Sequence, residues 1–100
     1  MAKPVTFAAV GDIGFWKGTC DSARRRVFDW AFERMKPVLA EADLVFGNME
    51  SVVVPSGFPK KQIDPDGLVT TFDGRAIGEA LRRAGFDVMN LAANHVLDAG

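Results

Sequence analysis

One hundred residues make at most one small domain, and an apolar fraction of 48% is ample for its core. Twelve basic against thirteen acidic side chains leave a net charge of -1, which gives no charge-driven reason for a nucleic-acid or acidic-membrane partner. A single cysteine, Cys20, excludes an intrachain disulfide framework, and no window reaches the roughly 18 apolar residues of a bilayer span. The chain opens Met-Ala-Lys-Pro and enters a strand pattern with no cleavage signal, so a soluble, cytoplasmic protein without a membrane segment is expected.

In chain order, Val5 to Val10 forms the first apolar run of strand length. A helix is expected from about Ser22 to Ala42. Val27, Ala31, Met35, Val38 and Ala42 recur at helical spacing, with Arg24, Arg25, Asp29, Glu33 and Lys36 on the other side. Asp21 or Ser22 serves as its cap, and Pro37 should bend or interrupt it because the ring meets the carbonyl of Glu33. Leu44 to Phe46 is the second strand. The stretch from Ser51 to Phe72 holds Pro55, Pro59 and Pro65 with Gly57 and Gly67 and keeps no period, so it is expected as a long loop over the strand ends.

A shorter helix follows, from Arg75 or Ala76 to Ala84. Ile77, Ala80, Leu81 and Ala84 form its inner face, Asp73 its cap and Gly85 its left-handed stop. Val88 to Leu91 is the third strand. All three strand runs are nearly continuous in apolar residues, as for strands covered on both faces. The order β-α-β-loop-α-β makes this an α/β chain with a mainly parallel sheet and right-handed crossovers.

Each strand runs into polar residues: Gly11-Asp12-Ile13-Gly14, Gly47-Asn48-Met49-Glu50 and Ala92-Ala93-Asn94-His95. Parallel neighbours would bring Asp12, Asn48, Glu50, Asn94 and His95 to one sheet edge, where α/β folds bind ligands. Carboxylate and amide oxygens with an imidazole suit a divalent metal such as Mn, Mg, Zn or Fe. Singly, each residue has a plainer account. Asp12 reads as a turn residue, Asn48 and Glu50 as a cap or arginine partners, His95 as a satisfied turn histidine, and Asp98 as a helix cap.

Other features stay structural. Arg24-Arg25-Arg26 reads as a solvated helix face, Lys60-Lys61 as an exposed loop, and Trp16 and Trp30 as anchors. Cys20 has no histidine near it in sequence to activate it. The run Gly11 to Gly18 lacks both the GxGxxG spacing and the Gly-Lys-Ser/Thr ending of nucleotide loops.

Three segments together resemble the CapA family of poly-gamma-glutamate capsule-biosynthesis proteins, which are related to calcineurin-like metallophosphoesterases. They are Gly11-Asp12-Ile13, the run Asp43 to Ser51 containing Gly-Asn-Met-Glu50, and the run Ala80 to Gly100 containing Ala-Ala-Asn94-His95-Val-Leu-Asp98-Ala-Gly. The resemblance runs from Val5 to Gly100 and implies half of a layered metallophosphatase-like α/β sandwich around one or two metal ions. By that resemblance Asp12, either Asn48 or Glu50, and Asn94 match metal ligands, while His95 matches the histidine assisting phosphoryl chemistry and Asp98 the aspartate that follows. Ala93 departs from the family's paired asparagines. Met49 replaces a leucine at nearly constant volume.

Family members continue well beyond this length, so residues 1–100 are expected to be a single domain forming the N-terminal fragment of a longer CapA-like domain. The function implied is metal-assisted hydrolysis or transfer at a small-molecule or polymer substrate carrying phosphate or carboxylate, by a phosphoesterase-like hydrolase once its second half is present. The alternative is a non-catalytic binding or assembly module. An open sheet edge would also invite self-association.

Overall fold

The computed structural model describes residues 2–15, 28–55 and 71–95. Along the chain these form β1 (Phe7–Ile13), a 3-10 turn (Phe28–Ala31), α1 (Lys36–Leu39), β2 (Leu44–Met49), β3 (Val52–Val54), β4 (Thr71–Asp73), α2 (Gly74–Ala84) and β5 (Val88–Asn90). The main sheet is parallel and three-stranded in the order β1-β2-β5. Trp16, Cys20, Arg24, Arg25, Arg26, Lys60, Lys61 and Asp98 lie outside the described residues.

Aspartates fasten the strand beginnings. Asp43, just before β2, accepts from the Thr6 backbone N–H at 2.8 Å and from its hydroxyl at 3.0 Å. Its own N–H returns a bond to Thr6 Oγ1 at 3.0 Å. Those two donors hold the Asp43 carboxyl below the ordinary carboxylate range. Asp87 does the same between β2 and β5. Its Oδ2 accepts from Val45 N–H at 2.8 Å while its N–H donates to Val45 O at 2.9 Å. These polar pairs tie neighbouring strands together at their beginnings.

The α2 helix forms where the sequence places its signals. Asp73 caps it by accepting from the N–H groups of Arg75 and Ala76, and Gly85 stops it at a φ of 108°. Its stripe of Ile77, Ala80, Leu81 and Ala84 is buried. Ile77, Leu81 and Ala84 join Ile13, Phe15, Phe32 and Met49 in one apolar cluster. Outside the cluster, Arg83 clamps α2 to the 3-10 turn by donating from Nε and Nη2 to the two Asp29 oxygens, both at 2.8 Å.

Three expectations change. The long helix to Ala42 is not continuous over its described part: a 3-10 turn and a run of turns separate Phe28 from α1. Pro37 stands in the first turn of α1 rather than inside a longer helix, where its missing N–H costs nothing. The stretch from Ser51 to Phe72 is not all loop, since its ends enter β3 and β4, which pair in parallel from Val52 opposite Thr71 to Val54 opposite Asp73. Finally, among the described residues the sheet is covered on one face only. Val45 and Met49 are buried on one side, but Phe7 is 60% exposed and Leu44 and Val88 are also open to solvent on the other. A continuous apolar run does not distinguish one covered face from two.

Candidate functional site

The polar strand ends meet through a bulge. β1 and β2 pair regularly from Phe7 opposite Leu44 to Ala9 opposite Phe46, and then the register slips, leaving Asp12 opposite Asn48 and Ile13 opposite Met49. Two residues of β1, Val10 and Gly11, thus face the single residue Gly47. Bulges of this kind are rare in parallel pairs and re-aim side chains. Here the slip turns Asp12 to the same face as Asn48 and leaves Ile13 in the core. Both polar residues belong to strands, not to the turns expected after them.

β5 extends the row, because Asn48 also stands opposite Asn90. Asn48 Nδ2 donates to Asp12 Oδ1 at 2.7 Å and lies 3.5 Å from Glu50 Oε2. Asn90 Nδ2 donates to Asn48 Oδ1 at 2.6 Å, and the Ala92 backbone N–H donates to Asn90 Oδ1 at 3.2 Å. Glu50 follows β2 directly and is held by its N–H, which donates to Ile13 O at 3.0 Å. Its carboxylate is largely covered, and His95 Nε2 lies 3.5 Å from Oε1.

Asp12, Asn48, Glu50 and His95 therefore gather at one sheet edge. Asn94 is exposed in the turn before His95, and among the described residues no hydrogen bond ties it to the row. Asn90 was missed by the sequence reading; its signal is an asparagine closing an apolar strand, Val-Met-Asn, directly opposite another strand-end asparagine. Beside the row lies an apolar cavity of about 310 Å³ walled by Val10, Ile13, Phe15, Phe32 and Phe86, with Asp12 in its lining.

The donor set can be tested against a cation. Two carboxylates face one neutral amide and one histidine, and among the described residues no arginine or lysine pairs with either of them. Hard oxygen donors without a protein countercharge fit a divalent ion. Among the described residues, however, no three of His, Cys, Asp and Glu stand together as a ready metal-binding group.

Parallel strands with a polar row at their carboxyl ends define an α/β chain with a strand-end site. Residues 6–100 match the family model described as bacterial capsule synthesis protein PGA_cap, and the chain belongs to that family. It is 30% identical over 98 residues to the capsule biosynthesis protein CapA of Bacillus anthracis, an alignment covering 98% of this chain and 24% of that protein. The chain thus spans about a quarter of that relative's length. No solved structure matches it. Among the described residues, no helix is long and apolar enough to cross a membrane.

Proposed function

We propose that this chain supplies the strand-end half of a metal-assisted site for hydrolysis or transfer at a phosphate or acyl group, used in capsule biosynthesis. The observation that carries this reading is the meeting of the Asp12 and Glu50 carboxylates about Asn48 Nδ2, with His95 beside Glu50. Asp12 and Glu50 would hold the cation, Mn, Mg, Zn or Fe, with Asn94 adding an amide oxygen from its turn. When bound, a divalent ion polarises a phosphoryl or carbonyl oxygen and eases deprotonation of water.

The chain's own residues do the rest. His95 Nε2 lies 3.5 Å from Glu50 Oε1, so the carboxylate orients the ring, and from the protonated ring a proton could pass to a leaving group. Asn48 spaces the two carboxylates.

Titration of the chain with Mn²⁺ tests this. The parent should bind, and Asp12→Ala should weaken binding by about tenfold or more while the fold is retained. Equal affinities in parent and variant would instead support the second reading, a binding or assembly module that keeps the fold without the chemistry. That reading is favoured by one residue, Ala93, which removes a polar group next to Asn94.

A further inference from the structure

The asparagine row has a direction. At one end stands the Ala92 backbone N–H, which can only donate, and it reaches Asn90 Oδ1 at 3.2 Å. At the other end stand carboxyl oxygens of Asp12 and Glu50, both placed as acceptors toward Asn48 Nδ2. An asparagine side chain accepts at its oxygen and donates at its nitrogen, and nothing in its shape distinguishes the two ends. With Asn90 Oδ1 committed to Ala92, its Nδ2 turns to Asn48 at 2.6 Å. Asn48 Oδ1 is then taken, and its Nδ2 is turned to the carboxylates. Both ends require the same orientation of both amides.

We infer that Asn90 is a positioning residue that fixes Asn48 as a hydrogen-bond donor to Asp12 and Glu50, and that Asn48 is consequently not a metal ligand through its oxygen. In this arrangement Asn48 holds the two carboxyl groups apart with N–H groups, while its oxygen faces away from them toward β5. The inference deepens the proposed metal-assisted reading by removing one candidate ligand from it. The orientation itself holds with or without a cation.

The test is the side-chain amide pattern of the metal-free chain, read by nuclear Overhauser contacts. In the parent, the Asn48 side-chain N–H protons should contact the Asp12 β-protons and the Glu50 γ-protons. In Asn90→Ala, position 90 no longer donates to Asn48 Oδ1, so the Asn48 amide is held from the carboxylate side alone. Its contacts to Asp12 and Glu50 should weaken, and its side-chain N–H protons should exchange with water faster than in the parent. Parent spectra with the Asn48 amide protons already against the Asn90 β-protons would overturn the inference, even if the variant fails to fold. So would a folded Asn90→Ala variant in which the Asn48 contacts and exchange are unchanged. Mn²⁺ titration of the parent separately tests the metal reading, because absence of binding there leaves the amide orientation intact.

Discussion

Asp12 and Asn48 stand directly opposite each other on β1 and β2, joined at 2.7 Å, only because the strands slip by one residue between Ala9 and Asp12. Strict alternation from Phe7 would have put Asp12 on the face of Ala8 and Val10, away from Asn48. The bulge is thus a condition for the site.

Two glycines beside the slip should respond oppositely to an added methyl group. At Gly47 a Cβ would stand 2.9 Å from Ile13 Cδ1, 3.0 Å from Phe86 Cε1 and 3.1 Å from Met89 Sδ. Gly47→Ala should cost about 1–3 kcal/mol by overpacking. At Gly11 a Cβ meets nothing within 4 Å. Gly11→Ala should be neutral or stabilising by up to about 1 kcal/mol, through a less disordered unfolded chain. Urea unfolding of both variants decides, and a Gly11→Ala loss as large as that of Gly47→Ala would contradict the packing described.

Acid should loosen the strand beginnings. The Asp43 carboxyl titrates below its ordinary 3.8 because of the Thr6 N–H and hydroxyl. A depressed folded value contributes stability that is present above the unfolded pKa and is lost as pH falls through the folded one. Asp43→Asn should therefore melt below the parent at neutral pH, with the gap closing as pH drops beneath 3.8. Asp29, lowered by Arg83, acts in the same direction in both proteins and so does not enter the difference. Melting curves across the acid range read the outcome, and a gap that widens on acidification would contradict it.

The cap and core of α2 should separate by size. Asp73→Ala removes the acceptor for two backbone N–H groups and should cost about 1 kcal/mol. Ile77, 1% exposed, should cost about 2–5 kcal/mol on replacement by alanine. Denaturant midpoints at constant slope measure both.

Cation binding should be visible as stability. A ligand held only by the folded chain contributes about 2.7 kcal/mol when present at a hundred times its dissociation constant. Mn²⁺ should thus raise the melting temperature of the parent, EDTA should reverse the rise, and Glu50→Gln should reduce it. An undiminished rise in Glu50→Gln would remove Glu50 from the ligand set.

Local signals carried most of what could be read before the structure. The Asp73 cap, the Ile77-Ala80-Leu81-Ala84 stripe and Gly85 mark α2 within a residue, because a cap, a helical period and a left-handed stop are each written in residues adjacent along the chain. The strands were placed, but their ends were not. Asp12 and Asn48 read as turn or cap residues, although pairing across the sheet keeps each in a strand. β3 and β4 left no signal because three-residue strands gain their stability from a partner distant in sequence. The bulge is hidden for the same reason: an extra residue exists only relative to the strand beside it. Asn90 escaped notice because its importance lies in what Ala92 and Asn48 do to its amide, not in its place in a motif.

The contributing positions run from 12 to 95 and come from the ends of three strands joined by two crossovers, so no early hairpin or helix can assemble them in advance. Synthesis has to pass residue 90 before the row from Asp12 through Asn48 to Asn90 can close. A label on the β5 amide would therefore time the closing of the whole row.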